Sequence, residues 1–159
     1  MESPATVDEV HGAFGDRDYW RDRLVHFGGA KSLDSLTVGP DGAVTVVVTE
    51  DLRHGALPGI LAKLYRADLN IRSTETWTPT ADGLVRGDIV VAVIGAPGAG
   101  SGTALLGPAA EGSQLSLSGQ VEFKVPLVGG RIESFVAGQF IAGFADINTF
   151  TTTWIAERA

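Results

Sequence analysis

The stretch that opens at Gly129-Gly130-Arg131 places Ile132, Phe135, Val136, Gln139, Phe140, Gly143, Phe144, Ile147, Phe150, Thr151 and Trp154 on one broad stripe, the spacing of a single long amphipathic helix. Nearly half of the chain's aromatic residues sit on that stripe. At about 25 cal/mol per Å² this much apolar surface is not left in water. The helix therefore needs a large matching surface, and the residues before it must supply one.

Those residues read mostly as strands. Leu33 to Val38 and Val44 to Thr49 flank the turn sequence Pro40-Asp41-Gly42, and the β-branched run Val44-Thr45-Val46-Val47-Val48-Thr49 suits a strand. Leu69 to Thr78 and Val85 to Ile94 flank Ala81-Asp82-Gly83, which predicts a second hairpin. Ser101 to Leu106 and Gln114 to Val125, joined around Glu111-Gly112-Ser113, predict a third. No connection leaves room for a crossover helix, so the sheet is expected to be antiparallel and curved. Ahead of it, Thr6 and Glu9 form a capping box for a helix carrying Val7, Val10 and Phe14. Gly15 turns the chain, and Asp16 caps a second short helix with Tyr19 or Trp20, Leu24 and Phe27 apolar and Gly28-Gly29 as its stop. Leu57 to Leu64 predicts a further short helix, and Gly95 to Gly102 a flexible hairpin loop: it lacks the lysine of a phosphate-binding loop and opens no helix. The fold class is α+β.

Composition narrows the chemistry. The 159 residues fit one domain spanning 1–159, and 44% hydrophobic against 19% charged residues gives it a real core. With no cysteine, disulfide scaffolds, thiolate metal sites and cysteine catalysis are excluded. A net charge of −7 argues against nucleic acid as a partner. No apolar run reaches the roughly 18 residues of a membrane span, and MESPATVDEV lacks the basic and apolar regions of a secretory signal, so a cytoplasmic protein is expected. His11, His26 and His54 sit on separate elements without ligand spacing, so neither a metal nor a cofactor is expected. No Gly-x-Ser-x-Gly elbow anchors a hydrolase triad.

Alternation identifies the polar residues that face inward. Leu69, Ile71, Ser73, Glu75 and Trp77 share one face, and Val44, Val46, Val48 and Glu50 share the corresponding face of the preceding strand. A carboxylate at Glu75 or Glu50 is therefore a candidate proton donor, base or ligand anchor; a rim position or an ion pair is the commoner fate of such a residue. Gln139 is the one polar residue well inside the helix stripe, with Thr151 nearer its end.

The order of two short helices, six hairpin-linked strands and one long helix resembles the helix-grip fold of the START-like (SRPBCC) superfamily, which includes polyketide cyclases and pollen-allergen-like proteins. More narrowly, FGDRDYWRDRL, TETWTP, GAPGAGSG and VEFKVPLVGGRIESF resemble an uncharacterised actinobacterial branch labelled as a domain of unknown function. The resemblance implies a first strand, paired with the last, ahead of the first helix. Only Met1 to Ser3 precede that helix here, so the strand is expected to be missing or clipped, leaving Gln114 to Val125 with an open edge. A misplaced start residue, a strand donated by a partner chain and a shortened barrel all account for that.

The resemblance also implies an apolar cavity between sheet and helix, with room left by Gly87, Val91, Val93, Gly119 and Val121. The expected function is non-catalytic binding, as carrier or sensor, of a hydrophobic small molecule or lipid. Trp77, Phe123, Phe135 and Gln139 would then be wall contacts and Glu75 the polar anchor. A cyclase- or dehydratase-like enzyme using Glu75 or Glu50 is the alternative from another class. A homodimerising interaction domain with a filled core is the third.

Overall fold

The computed structural model describes residues 1–51, 70–95, 98–123 and 129–159; within them the side chains of Val121 and Phe123 and of several positions between 129 and 140, Phe135 and Gln139 among them, lie outside the description. The segment expected to hold the Leu57 to Leu64 helix, and His54 with it, also lies outside the described residues.

Two short helices open the chain. In α1 (Val7–Phe14) the Thr6 side chain accepts from the Glu9 N–H, and the Glu9 carboxylate accepts from the Thr6 N–H at 2.8 Å. The Thr6 backbone bond, then its hydroxyl, holds the Glu9 carboxyl below the usual glutamate range. In α2 (Arg17–Phe27) the Asp16 side chain accepts from the Asp18 N–H, and the helix stops at Gly28, whose φ of 63° a side chain would resist. Both helix starts were readable from their caps.

The strands are β1 (Glu2–Ser3), β2 (Ala30–Val38), β3 (Val44–Asp51), β4 (Asn70–Pro79), β5 (Val85–Ile94), β6 (Gly98–Pro108) and β7 (Ser113–Phe123). They form one seven-stranded antiparallel curved sheet in the order β1-β7-β6-β5-β4-β3-β2. The last element, α3 (Gly129–Ala156), is the long helix that the apolar stripe demanded. It lies against β7 and touches α1 and α2. Among the described residues no helix is long and apolar enough to cross a membrane.

Three features refine the expectations. The first strand is clipped, not missing: a two-residue pairing of Glu2 with Gln114 and Ser3 with Ser113, extended by Met1, which exchanges backbone bonds with Leu115 at 2.8 and 2.9 Å. The Ser3 hydroxyl is 2.8 Å from that of Thr152, and the Asn148 amide donates to the Glu2 carbonyl at 3.1 Å. A few residues suffice because they are fastened on both sides. Gly112 helps: its φ is 93°, and a Cβ there would lie 2.2 Å from the Ser3 carbonyl oxygen.

Second, the glycine-rich stretch is mostly strand. β5 ends at Ile94 and β6 begins at Gly98, because glycine in an antiparallel pair costs propensity without blocking the ladder.

Third, the pairing of β2 with β3 shifts between Leu33 and Ser35, so Asp34 is an extra residue. Leu33 and Leu36, three apart, would face opposite sides of a regular strand. The bulge lets both pack against the core, opposite Val48 and Val46.

Candidate functional site

The register aligns inward-facing residues in rows across the sheet. Val44, Trp77, Gly87, Ala104 and Leu117 make one row; Val46, Glu75, Ile89, Gly102 and Gly119 the next; Val48, Ser73, Val91 and Gly100 the one after. The Trp77 row is packed solid: Trp77 is 2% exposed, and its ring stacks on Phe14 of α1 with centroids 4.5 Å apart. Gly87 is not spare room, as a Cβ there would come within 2.6 Å of the Trp77 ring. The glycine exists to let the indole lie across its strand.

Glu75 stands at the edge of this packed region, 9% exposed. One carboxylate oxygen accepts from the Trp77 indole N–H at 3.0 Å, and the other accepts from the Arg23 guanidinium at 3.3 Å. Arg23 comes from α2, where its guanidinium sits 4.5 Å from the centroid of the Trp20 ring. Burial alone would push the Arg23 guanidinium down, but the charge of Glu75, and then the Tyr19 phenol, more than offset it, so the net displacement is upward. The phenol of Tyr19 is pushed up by burial, with Arg23 and the bond to Thr151 opposing. The Thr151 hydroxyl gives its one proton to the Ile147 carbonyl at 2.7 Å, so it is Tyr19 that donates to Thr151, also at 2.7 Å. Helix α2, strand β4 and helix α3 are thus joined through Arg23, Glu75, Tyr19 and Thr151.

This network surrounds a cavity of about 10 Å³ lined by Arg23, Glu75, Trp77, Phe144, Asn148 and Thr151 among others. That is room for about one water molecule. Glu75 has both carboxylate oxygens engaged, one by an indole N–H and the other by a guanidinium. Glu50 lies elsewhere, 27% exposed and 3.8 Å from the Lys31 ammonium. Four residues of strand separate it from the position opposite Glu75, about 13 Å at ~3.3 Å per residue, so the two carboxylates do not form a pair.

Beyond the Glu75 row the inner face changes character. Ile71, Ser73, Val91, Val93, Gly98 and Gly100 are only half-buried, although Val48 in the Ser73 row is buried; in the Glu75 row itself Gly102 is half-buried and Gly119 exposed. Of the expected wall contacts, Glu75 and Trp77 are together at the packed end, whereas the side chains of Phe123, Phe135 and Gln139 lie outside the described residues. Sequence reasoning missed Arg23. The signal was there, since Tyr19 and Arg23 are four apart and share a helical face with the core.

A family model described as "Protein of unknown function (DUF2505)" matches residues 1–155. The chain belongs to this family. Uncharacterised proteins of Mycobacterium bovis and Mycobacterium tuberculosis are 35% identical to it over 160 aligned residues, covering 96% of this chain and 92% of theirs. In architecture it is similar to a crystal structure of a conserved protein from Geobacillus kaustophilus, with a TM-score of 0.52, 23% identity and coverage of 99% of this chain and 92% of that one. At that identity the likeness speaks to the fold.

Proposed function

We propose that this member of the DUF2505 family is a non-catalytic, cytoplasmic carrier or sensor that holds a hydrophobic small molecule or lipid. The molecule lies between the concave sheet and α3, in the helix-grip arrangement of the START-like superfamily. The observation that carries this reading is the change along the inner face. Packing loosens at the Glu75 row, where Gly102 is half-buried, and the next row presents Ser73, Val91 and Gly100, small and half-buried, beside a buried Val48. A protein with a filled core would place large residues there. In this reading Trp77 and the Arg23–Glu75 pair form the floor of the site, and the bound molecule rests above them without being transformed. The engaged state of both Glu75 oxygens favours binding over acid–base catalysis.

Native mass spectrometry of freshly purified protein tests this directly. The expected result is a copurified small-molecule mass, together with a rise in melting temperature on adding lipid extract, since a ligand selective for the native state stabilises it by about 2.7 kcal/mol at a hundredfold its Kd. Ser73→Phe, which fills the open row, should abolish both. A ligand-free wild type with no thermal response would end the proposal.

A further inference from the structure

The charged groups on the concave face come in opposite pairs. Strand alternation turns Lys31, Glu50 and Glu75 inward, with Lys31 directly opposite Glu50 and with Glu75 two rows further toward the packed end. Arg23 reaches the same face from α2. Its guanidinium lies 3.3 Å from the Glu75 carboxylate, and the Lys31 ammonium lies 3.8 Å from that of Glu50, so each cation stands against one carboxylate. The half-buried positions between and beside the two pairs, Ser73, Val91, Val93, Gly100 and Gly102, carry one hydroxyl and no charge.

Among the described residues this face therefore offers no uncompensated charge. A bound carboxylate or ammonium has two ways to enter. It is buried without a counter-ion, or it takes Arg23 or Glu75 from its partner and leaves the other one buried alone. Both carry the large desolvation cost of an unpaired buried ion. For an anion, the net charge of −7 adds repulsion from the whole chain. The enclosed space beside the Arg23–Glu75 pair, about 10 Å³, has room for about one water molecule and none for a charged headgroup with its own hydration shell. An uncharged molecule meets none of these obstacles.

We infer that the site accepts uncharged molecules only, and that the Arg23–Glu75 pair enforces the choice by cancelling its own charge. This inference rests on the carrier reading above and narrows its ligand to a neutral one, such as a long-chain alcohol, and not a fatty-acid anion or a long-chain ammonium. Arg23 and Glu75 are then specificity determinants as well as the floor of the site.

Isothermal titration calorimetry at neutral pH tests it with three probes that share one chain: dodecanol, dodecanoate and dodecylammonium. Dodecanol is expected to bind, and each ion to bind at least about tenfold more weakly. Glu75→Gln keeps the shape of the side chain, removes its charge and leaves the Arg23 guanidinium uncompensated. The variant should gain at least about tenfold in affinity for dodecanoate and change little toward dodecanol. Either ion binding the wild type as tightly as dodecanol overturns the inference while the carrier reading survives. A folded Glu75→Gln protein that gains nothing for dodecanoate overturns it too, because the pair is then not what selects. The wild-type comparison decides the charge of the ligand even if the variant fails to fold. If none of the three probes binds, the carrier reading falls and takes the inference with it.

Discussion

The two ends of the concave face are built by different rules. At the end closed by α1, α2 and the second half of α3, Phe14, Tyr19, Trp20, Trp77, Phe144 and Trp154 are buried, and the Tyr19 phenol and the three indole N–H groups each have a hydrogen-bond partner. At the other end the same strands carry glycine, serine and valine at half-buried positions. The strands are continuous through both ends, so the sheet itself does not set the difference. What sets it is which side chains face inward in each row. One end holds the molecule together, and the other is free to be something else.

Substitutions should fall into two classes along that line. The largest effect is expected for Trp77→Ala, about 3–5 kcal/mol by chemical denaturation, because the change empties a ring-sized space and strips a donor from Glu75. A small effect there would break the distinction. Arg23→Met comes next, at about 3 kcal/mol, since it leaves the Glu75 carboxylate buried without its counter-charge. Adding Glu75→Gln to it should return at least half of the loss, which a purely steric role for Arg23 would not allow.

Tyr19→Phe is smaller, about 1 kcal/mol at neutral pH for one buried hydrogen bond, and it carries a sign that pH can test. The phenol is raised in the folded state above its ordinary value of 10.0, so its stabilising effect is full below pH 10 and is lost as pH climbs from there toward the folded value. The stabilities of wild type and Tyr19→Phe should therefore converge in alkali. Parallel curves would show that burial of the phenol is not what resists ionisation. The smallest effects belong to the open end. Ser73→Ala and Val91→Ala should each change stability by less than about 1 kcal/mol, and a larger loss at either would mean that this end too is filled.

How much of this the residues announced varied with the kind of interaction. Capping boxes, turn sequences and the long apolar stripe are local signals, and they placed both short helices, the three hairpins and α3. The inward direction of Glu75 followed from alternation alone and holds. The bulge at Asp34 was hidden because one extra residue changes no local propensity; only the paired demand of Leu33 and Leu36 reveals it. Whether the first strand was clipped or missing stayed open because its stability comes from Leu115, Asn148 and Thr152, all far along the chain. Arg23 escaped for the same reason. A guanidinium on an apolar helix face reads as an error until the carboxylate on β4 is known to sit beneath it. Gly87 read as empty room, and it is the Trp77 ring that shows otherwise.

The attachment of Met1 to Ser3 onto β7 has a consequence for how the molecule is born. The hairpins β2–β3 and β4–β5 can form while the chain is still emerging from the ribosome, since each strand's partner is its neighbour in sequence. Met1 to Ser3 must wait for this pairing until Ser113 to Leu115 have left the exit tunnel, and their anchors on α3 arrive later still. Cotranslational folding should therefore fasten Met1 to Ser3 only after β7 and α3 have emerged.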